Sequence, residues 1–191
     1  MSGGYLANAG QFLIDTLFSL YITAVMLRFL LQLVRANFLN PVSQFLVKVT
    51  NPPLKPLRRI IPGLAGIDMA SVVLLMSLQM LKLVSIGLLL GLSWTAPSLA
   101  VISLGELINL LLNIFMIALL IQVVLSWVNP GASNPITAVL YSLNEPVLRP
   151  MRRIIPPISG FDLSPIFVFL SISLLKILLV APILDMGRSL A

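Results

Sequence analysis

Two lysines inside long apolar runs are the residues whose placement most suggests chemistry. Lys82 and Lys176 lie 94 positions apart, each within such a run. A lysine at the bilayer centre costs on the order of 2.5–3.5 kcal/mol on insertion scales, so its presence requires a compensating role. Polar side chains at helical spacing in two other apolar runs are suited to face these lysines, namely Asp15, Glu106, Asn109 and Asn113.

We expect these side chains to form an intramembrane polar network that fixes the register of the helices. The sequence leaves two alternatives open. The first is a lysine that snorkels toward the surface without a partner. The second is a functional site, either a proton or ion path or a pocket for an anionic ligand.

Paired arginines occupy the same place in both halves of the chain. The basic residues concerned are Lys55, Arg58, Arg59, Arg149, Arg152 and Arg153. At a lipid surface each basic residue contributes about 1 kcal/mol, and Asp68 and Asp162 are placed to brace the arginines at the start of the next apolar run. Guanidinium groups also make bidentate contacts to phosphate, which would serve a lipid headgroup or a protein partner. Because arginine recurs where lysine would supply the same charge, geometry matters here as well as charge.

The composition excludes several classes of chemistry. The 191 residues include no cysteine, no histidine and only six acidic residues. Disulfides, thiolate nucleophiles, the usual zinc ligands, imidazole catalysis and His- or Cys-ligated haem are therefore excluded. We expect no cofactor, no metal site and no enzymatic activity. The net charge of +6 arises mainly in the connectors between apolar runs, so we do not expect nucleic-acid binding.

Four apolar runs are the elements that position these residues. Apolar residues make up 59% of the chain and charged residues 9%, whereas about a quarter of a soluble domain is charged. The runs cover residues 11–34, 69–92, 105–128 and 163–184, and each exceeds the ~20 residues that cross a bilayer. Because backbone groups in lipid must bond internally, we predict an all-α membrane protein with four transmembrane helices.

The two halves of the chain are copies of each other. The segment RRIIP at 58–62 recurs at 152–156, and the constant offset of 94 residues extends across the whole connector without a gap. Each copy contains two spans, so the chain returns to its starting side of the membrane. We therefore predict two parallel two-helix repeats, at residues 1–94 and 95–191.

Within each repeat, the connector between the two spans has three predicted parts. An amphipathic stretch follows each Asn-Pro pair and should lie in the membrane interface. A proline-rich segment, at 52–62 or 146–157, should break any long helix and turn the chain. A Gly-x-Asp sequence then ends in Asp68 or Asp162, which should cap the next span.

The distribution of basic residues predicts the orientation. Both connectors are basic, whereas the tail before the first run and the loop at 93–104 contain no lysine or arginine. The positive-inside rule then places the connectors in the cytoplasm and both termini in the periplasm. Arg28, near the cytoplasmic end of the first span, is predicted to be a snorkelling anchor.

The connectors resemble the signature of the YggT family. Residues 50–62 read TNPPLKPLRRIIP, and the second copy continues as PPISGFDLSP at 156–165. The resemblance covers both repeats and implies a small integral protein of the bacterial inner membrane. It also implies links to cell division, to osmotic tolerance and, through plastid forms, to assembly of membrane complexes. Asn51 departs from the pattern, which has an acid there, so that only Glu145 supplies one.

Two functions are consistent with these observations. We expect a non-enzymatic membrane scaffold whose connectors contact anionic lipid headgroups or an unidentified membrane or cytoplasmic protein, with homo-oligomers left open. The alternative is a small transport or channel-type protein that uses Lys82 and Lys176. A scaffold predicts that changes at the paired arginines abolish function while lysine changes act through stability, and transport predicts the reverse.

Overall fold

The computed structural model describes residues 3–128, 131, 134–155 and 162–191. Its helices are α1 (Gly3–Leu33), α2 (Pro41–Ile60), α3 (Met69–Leu90), α4 (Ala96–Val128), α5 (Pro135–Ile154), α6 (Ser164–Leu175) and α7 (Ala181–Ser189), with a π-helical segment at Lys176–Val180 that joins α6 to α7. The described residues contain no β-strand beyond an isolated bridge.

Four helical segments are long and apolar enough to span a membrane, which confirms the predicted class of fold. They are Gly4–Leu33, Met69–Leu90, Ala96–Val128 and Ser164–Ser189. The longest, α4, has 33 residues, which at 1.5 Å per residue gives ~50 Å against a hydrocarbon core of ~30 Å. The chain is therefore a multi-pass membrane protein in which α4 extends beyond the apolar layer.

The predicted loop at 93–104 is wrong, because α4 already begins at Ala96. The hydroxyl of Thr95 accepts the backbone N–H of Ser98 at 3.2 Å, which starts the first turn. Pro97 is compatible with that turn, where its missing N–H would be unpaired in any residue. The hydroxyl of Ser98 in turn donates to the carbonyl of Gly187 at 2.8 Å, so the start of α4 is held against α7.

Each connector is one continuous amphipathic helix of 20 residues, so the predicted proline break is wrong. A proline inside a helix removes one hydrogen bond and costs ~3 kcal/mol. Tertiary contacts offset this cost in α2. The carbonyl of Val49, which Pro53 leaves without its helical donor, accepts the hydroxyl of Tyr21 at 3.4 Å. One face of α2 is buried against the spans, through Ser43, Leu46, Thr50 and Leu54.

Arg28 is buried, with 4% of its surface exposed, so the predicted snorkelling anchor is wrong. Its guanidinium donates to the hydroxyl of Thr50 at 2.7 Å and thereby ties α1 to α2. The second repeat has an equivalent contact, because the Asn144 amide donates to the Gln122 side chain at 2.7 Å. The same offset therefore relates two different polar pairs that hold a connector helix on the span before it.

The two connector helices lie at the same end of the bundle. The side-chain amide of Asn40 donates to the carbonyl of Pro135 at 2.7 Å. Asn40 also caps α2 by accepting the N–H of Val42, while Asn134 caps α5 by accepting the N–H groups of Ile136 and Thr137. This placement is the one that parallel repeats require.

A core cluster joins the repeats. It contains buried side chains from α1, such as Val25 and Leu30, together with Leu107 of α4 and Leu143 of α5. The second repeat has a further cluster around Leu148 and Ile172.

The contact between the two connectors can be tested at its asparagine. Asn40→Asp keeps the oxygen that caps α2 but removes the amide that donates to Pro135. We expect the free energy of unfolding in detergent micelles to fall by about 1–2 kcal/mol.

Asn134→Asp is the matched control, because it keeps the cap of α5 and its amide donates to no described residue of the first repeat. We expect its effect to stay within about 0.5 kcal/mol. Equal losses in the two variants would show that the Asn40–Pro135 contact does not join the repeats.

Candidate functional site

A tight turn brings Asp68 beneath the end of α2. Leu64 and Ile67 exchange backbone hydrogen bonds of 3.1 and 2.8 Å, and the two residues between them have positive φ, 51° at Ala65 and 82° at Gly66. Two consecutive positive φ values are the mark of a type I′ turn, in which glycine is favoured because it has no Cβ. The turn reverses the chain after α2, so Asp68 returns toward the arginines of that helix.

Arg58 and Asp68 form the ion pair of the first connector. The Nε of Arg58 donates to the Asp68 carboxylate at 3.1 Å, a terminal nitrogen of the guanidinium contacts the same carboxylate, and that nitrogen also donates to the Gln32 side chain at 3.0 Å. The hydroxyl of Ser71 donates to Asp68 at 2.5 Å. Asp68 stands at the N-cap of α3 but makes no capping hydrogen bond. The predicted cap is therefore wrong, because Arg58 and Ser71 occupy the carboxylate.

The second connector repeats the ion pair with different supports. The Nε of Arg152 donates to Asp162 at 2.8 Å, and another guanidinium nitrogen donates to Glu145 at 3.1 Å. Asp162 also accepts the backbone N–H of Ser164 at 2.9 Å, in the first turn of α6. Glu145 therefore supports Arg152, whereas its counterpart in the first repeat is Asn51. In the second connector, Pro156 and Pro157 of the proline-rich segment and Gly160 of the Gly-x-Asp sequence lie outside the described residues.

The carboxylates of these two pairs are held in the ionised form. Burial raises the pKa of Asp68, but hydrogen bonds from Arg58 and Ser71 outweigh it, and the pKa lies below its ordinary value of 3.8. The pKa of Asp162 is lowered in the same way, because hydrogen bonds from Arg152 and Ser164 outweigh burial. Each connector is therefore closed by an ion pair that is fully charged at neutral pH.

The second arginine of each pair has a different environment. Arg59 and Arg153 are exposed, and neither makes an ion pair or a side-chain hydrogen bond with any residue that the structure describes. The same holds for Lys55 and Arg149. The acids of the two connectors are already occupied by Arg58 and Arg152. The unpaired charge at this end of the molecule is therefore positive.

The intramembrane lysines meet polar side chains of the preceding span. The ammonium of Lys82 donates to Asp15 at 3.1 Å and to Ser19 at 3.4 Å. The ammonium of Lys176 donates to Asn113, the equivalent of Ser19, at 2.5 Å. The structure thus brings both lysines onto the predicted polar stripes. Glu106 and Asn109 make no side-chain hydrogen bond or ion pair with the described residues.

A cavity of about 120 Å³ lies beside Lys82. Its polar lining residues come from α1, α3 and α4, and they are Ser19, Gln79, Lys82, Glu106, Asn109 and Asn113. Gln79 is 3% exposed, and its amide nitrogen has no hydrogen-bond partner. Glu106 and Asn109 make no hydrogen bond or ion pair with a lysine that the structure describes, but they line the same cavity as Lys82.

A π-helical segment begins at Lys176, a feature that the apolar pattern of the sequence does not predict. The N–H of Ala181 bonds the carbonyl of Lys176, five residues earlier. The signal in the sequence is Pro182, which has no N–H for a regular helical bond at this point. The wider turn lies where the second lysine meets Asn113.

The model of the CCB3/YggT family matches the chain twice, at residues 7–89 and 101–183. The chain belongs to the CCB3/YggT family. The two matches begin 94 residues apart, which is the offset that relates the polar pairs described above. The YggT repeat is therefore the unit that contains two spans and one connector helix.

Bacterial relatives of this YggT-family chain match most of its length, and a plastid relative matches a shorter part. An uncharacterised protein of Pseudomonas aeruginosa is 45% identical over 177 residues, which is 92% of this chain and 90% of the relative. The uncharacterised protein YggT of Escherichia coli K12 is 40% identical over 166 residues, 85% of each chain. The chloroplastic YlmG homolog protein 2 of Arabidopsis thaliana is 45% identical over 64 residues, 34% of this chain and 25% of its own. No solved structure matches the chain.

The ion pair at Asp68 predicts a specific sensitivity to acid. Since its pKa is lowered by folding, the stabilisation is fully present above the ordinary value of 3.8 and is lost as the pH falls through the lower folded value. Asp68→Asn should therefore lower the unfolding temperature at neutral pH and reduce its further decline in acid. Thermal unfolding in detergent micelles between neutral and strongly acidic pH measures both effects.

Asp185→Asn is the control, because Asp185 forms an exposed ion pair with Arg188 within α7 and makes no contact with Asp68. It should leave the acid decline as steep as in the parent protein. An equally steep decline in Asp68→Asn would mean that this carboxylate does not contribute to it.

Proposed function

We propose that this YggT-family protein is a non-enzymatic scaffold of the bacterial inner membrane that binds anionic lipid headgroups through its two connector helices. The observation that carries the proposal is the division of each arginine pair. Arg58 and Arg152 are engaged by carboxylates, while Arg59 and Arg153 are exposed without a partner among the described residues. One arginine of each pair shapes the connector and its neighbour is free to bind.

The charge of this surface favours an anionic ligand. We call the exposed cations Lys55, Arg59, Arg149 and Arg153 the basic face of the connectors. At about 1 kcal/mol per residue near an anionic membrane, the four contribute on the order of 4 kcal/mol. Guanidinium groups also match the oxygens of a phosphate in a bidentate manner. Headgroup phosphates of the surrounding membrane supply this chemistry at the highest local concentration.

Apolar side chains next to the basic face support a position in the membrane interface. Ile60 and Ile154 occupy equivalent places, directly after Arg59 and Arg153, and both are largely exposed. Phe45 is exposed on α2 as well. A helix that combines exposed apolar groups with cations lies in the interface, with its apolar groups among acyl chains and its cations at headgroups.

The orientation is part of the proposal. Both connectors lie at one end of the bundle and are basic, which by the positive-inside rule is the cytoplasmic end. The termini then lie in the periplasm. We further propose that docking of the connectors contributes to cell division, osmotic tolerance or assembly of membrane complexes, which are the roles that the YggT resemblance implies.

A transport or channel function is the alternative, and the cavity beside Lys82 favours it. Transport requires a continuous path for the solute, whereas docking requires only the basic face. Flux that depends on Lys82 in proteoliposomes, with unfolding temperature unchanged, would support transport over docking.

Removal of one free arginine should weaken lipid selectivity. Arg59→Gln should lower the affinity for phosphatidylglycerol relative to phosphatidylcholine by about fivefold, the equivalent of ~1 kcal/mol. Native mass spectrometry of the protein from mixed micelles measures the ratio of the bound lipids.

Arg188→Gln is the matched control, since it removes one exposed arginine from the opposite end. It should leave the ratio unchanged. Equal ratios in the two variants would contradict headgroup binding at the basic face. A photocrosslinker at position 55 provides a second measurement, and capture of one protein in place of lipid would redirect the proposal to a protein partner.

The orientation has its own test. A reporter that is active only outside the cytoplasm, fused after Ala191, should be active, whereas the same reporter inserted after Gly131 should be inactive. The reverse result would place the connectors and their basic face in the periplasm.

A further inference from the structure

The cavity beside Lys82 has the size and lining of a binding site for a small polar molecule. Its volume of about 120 Å³ holds at least about four water molecules at ~30 Å³ each. It lies between membrane-spanning helices, with Ile22 and Leu110 as its apolar walls. Polar groups that line such a space need a partner, because lipid provides none.

Hydrogen-bond donors are available around Lys82. The amide nitrogen of Gln79 is buried and has no partner, which is unfavourable in an apolar environment. The oxygen of Asn113 already accepts from Lys176, so the free group of this side chain is its NH2. The ammonium of Lys82 has one proton beyond the two that contact Asp15 and Ser19. These groups together favour an anionic group such as a carboxylate.

The opposite requirement comes from Glu106. Its carboxylate lines the same cavity and makes no ion pair or hydrogen bond with the described residues. Glu106 and Asn113 lie seven residues apart on α4, which separates them by ~10 Å along the helix. Glu106 therefore favours a cationic group at its end of the cavity, whereas the opposite end is rich in hydrogen-bond donors.

We propose that this cavity binds a small zwitterion, with the ligand carboxylate toward Lys82 and Gln79 and its ammonium group toward Glu106. A simple anion would leave Glu106 without a counterion and would be repelled by it. A simple cation would leave the amide donors of Gln79 and Asn113 without an acceptor, although Asp15 already balances the charge of Lys82. A molecule with both charges satisfies the two ends at once.

The polar groups of this cavity are not repeated at the equivalent positions of the sequence. Gln79 corresponds to Ser173 and Glu106 corresponds to Phe12 at the offset of 94 residues, whereas Lys82 has a lysine counterpart. Both repeats thus have a lysine that contacts the preceding span. Gln79 and Glu106 add to this contact at the cavity, and the other repeat has different residue types at their equivalent positions. The inference rests on this cavity alone and is independent of headgroup binding by the connectors.

The test compares glycine with its two charged halves. The intact protein in detergent micelles is titrated with glycine, acetate or methylammonium, and binding is followed by equilibrium dialysis and by unfolding temperature. Saturable glycine binding that raises the unfolding temperature, with both halves at least about tenfold weaker, is the expected result. Absence of glycine binding means a cavity that holds only water and overturns the proposal. Acetate or methylammonium binding as tightly as glycine indicates a simple ion site and also overturns it.

A conservative variant localises the effect. Glu106→Gln should weaken glycine binding by about tenfold or more, whereas acetate, no longer repelled by that carboxylate, should bind at least as well as to the parent protein. Asp185→Asn, which removes an exposed carboxylate outside the cavity, should leave glycine binding unchanged. Unchanged glycine binding in a folded Glu106→Gln protein would overturn the assignment. If that variant does not fold, the comparison of the three ligands in the parent protein decides.

Discussion

Polar side chains inside the bilayer have no water to bond with, so each requires a partner on a neighbouring helix. In this protein two such contacts recur in each repeat at equivalent positions, and an ion pair at the end of the connector is a third repeated contact. Arg28 bonds Thr50 and Gln122 bonds Asn144. The lysines bond the preceding span, and the first arginine of each pair bonds an aspartate. These contacts connect span to connector, connector to span and span to span within each repeat.

Further tertiary contacts explain how connector helices rich in proline remain helical. A proline removes a donor but does not prevent a helix whose freed carbonyl meets another partner, as Val49 meets Tyr21. The buried face of α2 packs on the spans, and the Asn40–Pro135 contact joins the two connectors. Burial and these hydrogen bonds together offset the cost of the prolines. The result is a pair of connector helices of 20 residues each, with exposed cations near their ends.

Differences between the repeats are as informative as their likeness. Arg58 is supported by Gln32 of the first span, and Arg152 by Glu145 of its own helix. The lysine of the first repeat adjoins a cavity with Gln79 and Glu106, whereas the lysine of the second begins a π-helical segment. The two repeats therefore share their main contacts, and differences in sequence between them add a polar cavity beside the lysine of the first repeat.

The sequence by itself determined the number of spans, the duplication and the need of the lysines for polar partners, because apolar length, constant spacing and the cost of buried charge are all properties of the chain. It did not determine the path of the connectors, the burial of Arg28 or the length of α4. Each of these depends on partners distant in the chain, such as Thr50 for Arg28 and Gly187 for Ser98. Local rules for proline and for arginine consider a single helix surrounded by water or lipid. Packing against a second helix replaces those surroundings with protein groups that can form hydrogen bonds.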